Sequence, residues 1–245
     1  MEIKEHNKLL KSYRDIIEDW LDRVENESVR NLLARGLVVG INDKVQYPLL
    51  LLVGINPSFA EKENNRQDIL FPFADAKDHG HSKYWSKKHD QFGGKESELV
   101  KNNMAYLDLF PLKESNQKKF ERVLRLHSDL RMSLLLETQK EIEKLNPKLI
   151  VHANKSSLYY WGLNPSTYQK DEVNPWLNYN FEEINFVDCS PLKSYSKRID
   201  FIPKEKRFVH LYKISGNGFC DGNHYFLAYI MEYFGMKDWQ KVQLL

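Results

Sequence analysis

The run Leu49-Leu50-Leu51-Leu52-Val53 passes directly into Gly54-Ile55-Asn56-Pro57-Ser58, so an uninterrupted aliphatic stretch ends in a tight polar turn. Five successive aliphatic side chains leave no polar face, which predicts a strand buried on both sides at the centre of a parallel sheet. Asn56 then falls at the carboxyl end of that strand, the edge of an open α/β sheet where ligands bind. Gly54 permits close approach of another group, and Pro57 keeps Asn56 out of the helical region, so the amide is presented rather than buried. On these residues alone the alternative is an ordinary strand-ending Asn-Pro turn.

Strands and helical periodicities alternate along the rest of the chain. Leu9, Tyr13, Ile16, Ile17, Trp20, Leu21 and Val24 recur at three- and four-residue steps and predict an amphipathic helix ending near Gly36. A short strand is expected at 37–39 and a second buried strand at 104–111. Helical spacing across 117–145, interrupted once, stops at Asn146-Pro147. A third strand at 148–154 precedes a short helix behind Ser156-Ser157. Farther on, 184–189 and 208–212 read as strands and Gly216-Asn217-Gly218 as a turn. A carboxyl-terminal helix from Asp221 or Asn223 is expected to bury Phe226, Leu227, Ile230, Met231 and Phe234. The expected fold is α/β, a three-layer α/β/α sandwich around a central, mainly parallel four-stranded sheet. No Pro/Gly/Ser linker divides the chain, so residues 1–245 are expected to form one domain, with 1–36 a helical extension packed on it.

A net charge of +2 is too small to demand a nucleic-acid partner and leaves one possible through local patches. Lys83, Lys87, Lys88, Lys95 and Lys101, and the basic stretch from Lys193 to Arg207, lie near Tyr84, Trp85, Tyr195 and Phe201. That interleaving suits phosphates beside stacked bases, although such runs also serve as solvated faces. Two cysteines, Cys189 and Cys220, are too few for a cysteine-ligated iron–sulfur cluster or a disulfide framework. No stretch approaches the length of a membrane span, and Met1 to Glu5 carries no signal-peptide core. A soluble, cytoplasmic protein with no membrane partner is expected.

The polar segment 59–101, with Phe71-Pro72-Phe73 in its middle, is long for a loop and therefore a candidate active-site wall. Its Asp75, Asp78, His79, His81, His89 and Asp90 match no dedicated zinc spacing; a solvated loop is the alternative to a metal cluster. Asp108 is a charge in an otherwise apolar run, which places it either at the ligand edge of the sheet or on a water-facing edge strand. His127 fits the apolar stripe as a core histidine. His152 and Asn154 close the third strand near the expected crevice.

Three separated pieces, in order and in register, resemble the uracil-DNA glycosylase superfamily. Gly54-Ile55-Asn56-Pro57-Ser58 is similar to the Gly-x-Asn-Pro motif of its mismatch-specific and single-strand-selective branches, and Asp108-Leu109-Phe110-Pro111-Leu112 resembles its base-reading strand end. His210-Leu211-Tyr212-Lys213-Ile214-Ser215, with Gly218-Phe219 and His224-Tyr225-Phe226, resembles its His-Pro-Ser-Pro-Leu-Ser loop and the Gly-Phe and His-Phe pairs beyond it. The resemblance implies that Asn56 positions the attacking water and His210 donates to the base oxygen. It implies a base-edge or general-base role for Asp108 and stacking on an extruded base for Phe73 or Phe71. Ser58, Lys213, Ile214 and Ser215 would contact DNA, Ile214 as an apolar wedge. Leu211 and Lys213 stand where the family's loop has prolines, and Asp108 where it keeps an Asn. An amide matches the N3–H and O4 of uracil, whereas an ionised carboxylate only accepts, so uracil specificity does not transfer. The implied activity is that of a monofunctional DNA glycosylase of base excision repair, a hydrolase acting on a damaged or deaminated base in single- or double-stranded DNA, with neither metal nor organic cofactor. Two alternatives stand beside it: a non-catalytic nucleic-acid-binding protein of the same fold, and a metal-dependent small-molecule hydrolase built on the 59–101 loop.

Overall fold

The computed structural model describes residues 3–41, 45, 48–59, 67–73, 89, 92, 94–152, 156–163, 177–184, 202–203, 209–229 and 239–240. Helix α1 (Ile3–Arg23) buries Leu9, Tyr13 and Ile17 of the expected stripe, and Leu10 with them. The helix does not run on to Gly36. Asn26 interrupts it, and its side chain accepts from the backbone N–H groups of Ser28 and Val29, capping a second helix, α2 (Glu27–Leu33). Next come β1 (Val38–Ile41), β2 (Leu50–Gly54), β3 (Ile69–Pro72), a π-helical turn at Leu99–Asn103 and β4 (Met104–Asp108). The long helical segment breaks once, at His127, into α3 (Gln117–Leu126) and α4 (Ser128–Leu145). His127 lies at that break, only half-buried, with its ring edge against Trp20. Asn146 then adopts a left-handed conformation at φ 47° and Pro147 comes next, a stop that suits both residues. Strand β5 (Leu149–His152), a 3-10 helix at Ser156–Trp161, β6 (Asn180–Ile184), β7 (Ile202–Pro203), β8 (Val209–Gly216), β9 (Phe219–Tyr229) and β10 (Trp239–Gln240) complete the described elements.

The main sheet has six strands in the order β4-β2-β5-β9-β8-β6, beside two small pairs, β1-β3 and β10-β7. Strands β4, β2, β5 and β9 are parallel, while β8 and β6 add antiparallel strands at one side. The sheet is therefore six-stranded and mixed rather than the four-stranded one expected, and its fourth parallel strand, β9, comes from residues expected to be helical. Leu50, Leu51, Leu52 and Val53 of β2 are all buried, each stabilising the fold by roughly 1.5–3 kcal/mol. Leu51, Val53, Ala105 and Leu107 join Phe120, Leu124, Leu130, Leu134 and Ile142 of α3 and α4 in one hydrophobic core. From β2 the chain steps to β4 on one side and then crosses to β5 on the other. The order reverses between β2 and β5, and in open α/β sheets the ligand crevice opens at the carboxyl ends of such a pair.

The carboxyl-terminal region departs from expectation. Residues 219–229 are not a helix but the long strand β9, which pairs with β5 and forms a hairpin with β8. Gly216 (φ 102°) and Asn217 (φ 46°) take the left-handed conformations that turn the chain. Tyr225-Phe226-Leu227 is then a buried sheet run, while Ile230, Met231 and Phe234 of the expected helix lie outside the described residues. Of the strand expected at 184–189 only Ile184 is described, as a residue of β6; residues 185–189 lie outside the described residues. Within the segment 59–101, β3 pairs in parallel with β1. Among the described residues no helix is long and apolar enough to cross a membrane.

Candidate active site

Strands β2 and β4 pair in register from Leu50↔Met104 to Gly54↔Asp108, so Asp108 ends its strand directly beside Gly54. Tyr106 and Asp108 are two residues apart and share a face of β4. The Tyr106 hydroxyl donates to Asp108 Oδ1 over 2.8 Å. Both groups fold across Gly54: a Cβ there would lie 2.1 Å from Asp108 Oδ1 and 2.5 Å from the Tyr106 hydroxyl. Behind Tyr106, the Phe73 ring stacks at 5.7 Å and 12°, and His89 meets Phe73 edge-on at 4.8 Å. His89 Nε2 also donates to the Phe73 carbonyl over 2.8 Å. The Asp108 residue keeps partial exposure, but its carboxyl is enclosed. Burial pushes it up from 3.8 to about 7, and the bond from Tyr106 only partly offsets the rise.

Asn56 sits just beyond, in the turn after β2. Its Nδ2 donates to the carbonyls of Glu114 (2.7 Å), Pro57 (3.0 Å) and Leu112 (3.4 Å). Three carbonyl oxygens fix the sense of the amide, because turning it over would set Oδ1 against all three. Among the described residues no donor reaches Oδ1, which remains available to accept. The turn is laced to the segment after β4 by backbone bonds from Leu109 to Gly54, Phe110 to Ile55 and Glu114 to Pro57. Asn56 lies at the edge as expected; two of the three partners of its amide come from residues 56 and 58 positions later.

Arg35, just after α2, fastens both segments. Its Nη1 donates to Glu114 Oε2 (2.7 Å) and to the Lys113 carbonyl (3.1 Å), while its guanidinium lies 4.3 Å over the Phe59 ring. Burial alone would raise the Glu114 carboxyl, but bonds from the Asn116 N–H and Arg35 outweigh it and hold the group below its usual range. Arg35→Ala is expected to lower stability by roughly 1–2 kcal/mol in urea denaturation, with Arg35→Lys recovering only part because the planar fork is lost. A change within about 0.3 kcal/mol would detach Arg35 from the turn.

The remaining expected residues are placed unevenly. Ser58 is exposed beside Asn56, at the same edge. For His210 the description extends to the backbone, which pairs with Ala228 in the row Leu107, Val53, His152, Ala228, His210. That row lies next to Gly54 and Asp108, but β8 is three strands from β2, roughly 14 Å at ordinary strand spacing. Residues 210–215 form part of an antiparallel strand rather than a loop at a parallel strand's end. Lys213 lies in the row of Leu50, Leu149 and Tyr225, roughly 10 Å back toward the amino ends of the parallel strands, and Ser215 lies farther still. Ile214 is wholly buried in the core, so it offers no wedge. Phe73 is buried between Tyr106 and His89 and packs the core instead of presenting a free face to a base. The Phe71 side chain lies outside the described residues, as do Asn154, Asp75, Asp78, His79, His81 and Asp90. His152 is buried against Trp161 and Phe226. Among the described residues no three His, Cys, Asp or Glu side chains stand together as metal ligands do.

The structure thus sets Asn56, Ser58 and Asp108 at the same edge of the sheet and Lys213, Ile214 and Ser215 away from it. It adds Tyr106 and Arg35, which the sequence reading does not single out. Tyr106 carried a usable signal, since it stands two positions before Asp108 in a strand. No protein-family model matches the chain, and no curated protein is similar to it.

Proposed function

We propose that this protein is a monofunctional DNA glycosylase-like enzyme, a hydrolase of the N-glycosidic bond of a damaged or deaminated base. The observation that carries the reading is Asn56, whose amide nitrogen is pinned by three carbonyls while its Oδ1 is left to accept at the sheet's ligand edge. Breaking an N-glycosidic bond builds positive charge on the sugar and negative charge on the departing base. An oriented carbonyl oxygen can hold the attacking water and favour the growing positive charge. In this reading Asp108, which pairs with Gly54 at the end of its strand, would meet the edge of an extruded base. The role of His210 rests on the resemblance alone. The chemistry requires no metal or organic cofactor. The fold belonging to this reading is a three-layer α/β/α sandwich. Support comes from Leu50, Leu52, Leu149, Val151 and Leu227, which are buried yet stand apart from the core beneath α3 and α4, as a covered second face requires.

Single- and double-stranded oligonucleotides carrying uracil, hypoxanthine or xanthine, analysed for free base, test the reading. Release of at least one base is expected, and Asn56→Ala is expected to slow it on the order of 10²–10³-fold. Release of none would overturn the catalytic proposal. One placement favours a second reading, a nucleic-acid-binding protein of the same fold: with Ile214 buried and Lys213 and Ser215 held in a strand, the loop that would grip DNA is absorbed into the sheet. That protein would show salt-dependent binding without base release.

A further inference from the structure

We infer that the exposed face of α3 binds the phosphodiester backbone of a nucleic-acid strand through Lys118, Arg122 and Arg125, with Lys119 beside them, and leads that strand to the sheet edge where Asn56 lies. The glycosylase-like reading is needed only for what happens at that edge; the surface itself stands on charge and geometry. Phe120, Val123 and Leu124 of α3 face the core, whereas Lys118, Lys119, Arg122 and Arg125 are exposed. At about 100° per residue, Lys118, Arg122 and Arg125 fall within one arc of roughly 60°, with Lys119 at its flank. Along the axis the three are roughly 6 and 4.5 Å apart. Among the described residues no carboxylate pairs with any of the four cations. Glu121, the one acid of this helix, is half-buried and accepts from Gln117.

Helix energetics oppose this arrangement. Lys118 and Lys119 stand in the first turn, where the positive end of the helix dipole disfavours cations, and no acid is there to offset them. Lys118 and Arg122 are like charges four residues apart, and Arg122 lies three residues from both Lys119 and Arg125. The cations of the other long helices are laid out differently. In α1 Arg23 pairs with Asp19 and lies over Trp20, and in α4 Lys140 pairs with Glu137 and Lys144 with Glu141. With a net charge of only +2 on the whole chain, the unpaired face of α3 is a local concentration and not a general excess. A polyanion laid along it relieves the repulsion that the helix leaves in place.

The helix also begins beside the proposed site. Its cap, Asn116, accepts from the Lys119 N–H and follows directly on Glu114, whose carbonyl holds the Asn56 amide, and Ser115, whose hydroxyl donates to the Phe59 carbonyl. A strand lying along Arg125, Arg122 and Lys118 therefore runs up to the turn that carries Asn56. A basic amphipathic helix can also bind an anionic membrane, but it does so by sinking its apolar face into lipid. In α3 that face is locked into the core, and of its apolar residues only Leu126 is exposed.

The test is fluorescence-anisotropy binding of an undamaged, all-thymidine single strand to the full chain over a range of salt, so that no base chemistry enters. For the triple variant Lys118→Gln, Arg122→Gln, Arg125→Gln, affinity at low salt is expected to fall about tenfold or more. The slope of log affinity on log salt should lose about 2, from three phosphate contacts at roughly 0.7 each. Its midpoint in urea is expected to hold or rise, which a structural role for these side chains would not allow. Arg122→Lys with Arg125→Lys, which keeps both charges, should retain most of the binding. Arg23→Gln, Lys140→Gln, Lys144→Gln, which removes the same net charge from paired cations, should bind within about threefold of the wild type. No strand binding by the wild type at low salt, an unchanged slope in the α3 variant, or an equal loss in the paired-cation variant would overturn the inference. Tighter binding to phosphatidylserine vesicles than to the strand would overturn it too. If strand binding through α3 is found without base release from any damaged oligonucleotide, the surface stands and the catalytic reading falls. If release is found while the α3 variant binds as the wild type does, the reverse holds.

Discussion

Gly54→Ala is expected to cost roughly 2–4 kcal/mol of folding stability and to break the Tyr106–Asp108 hydrogen bond. Strand β2 is paired on both sides, so it cannot retreat from an added methyl group. Of the two groups in the way, Asp108 Oδ1 is fixed by register beside residue 54, and the Tyr106 hydroxyl ends a ring stacked on Phe73. One of them must leave. The carboxyl is the smaller and moves out toward water, where it should titrate as an ordinary aspartate. Denaturation of Gly54→Ala, Asp108→Ala and the double variant measures the conflict directly: the double variant should lose less than the sum of the singles, since removing the carboxyl relieves part of the clash. A tolerated alanine, within about 0.5 kcal/mol and with additive singles, would mean that the carboxyl does not occupy this space.

The second large effect is a pH-dependent gain in stability from Asp108→Asn. The folded-state carboxyl is raised to about 7 from 3.8, so the native protein holds a proton that the unfolded chain has released. Stability contributed by that proton is fully present below the unfolded value and drains away as pH climbs to 7. An asparagine carries no such dependence. The advantage of Asp108→Asn over the wild type is therefore expected to grow by roughly 2 kcal/mol between pH 5 and pH 8, read from urea denaturation at each pH. A constant difference across that range would show an unperturbed carboxyl.

Both predictions turn on residues that the sequence exposes unequally. The aliphatic run before Gly54 declares a central strand because five residues with no polar face have only one comfortable environment. Asp108 stands out in its own apolar run for the complementary reason, that burying a charge is costly. The stop at Asn146-Pro147 and the parallel succession of β2, β4 and β5 were legible in the same way, whereas one interruption of the helical segment was expected without a position and His127, where it falls, was expected on the buried stripe. The carboxyl-terminal hairpin was misread because Phe226, Leu227, Ile230, Met231 and Phe234 satisfy a helical spacing locally. For residues 219–229, pairing of β9 with both β5 and β8 decides otherwise, and such pairing is a long-range property. Asn217-Gly218 between two aromatic and aliphatic runs was the hairpin signal available. The loop at 210–215 came from the resemblance alone, since 208–212 also reads as a strand, and the structure holds these residues in β8. Within the site, the partners of Asn56 and the clamp of Arg35 were out of reach, since carbonyl positions at 112 and 114 exist only once the two segments are laid together.

That Asn56 and Asp108 line one ligand site is tested most directly by carbon-13 NMR titration of the Asp108 carboxyl, assigned by its loss in Asp108→Asn, with and without a single-stranded oligonucleotide carrying 2′-fluoro-deoxyuridine, whose fluorine blocks cleavage. The account predicts an apparent pKa near 7 in the free protein, displaced upward when the base is bound, with the displacement reduced in Asn56→Ala. A carboxyl that titrates near the ordinary aspartate value and ignores the oligonucleotide would contradict it.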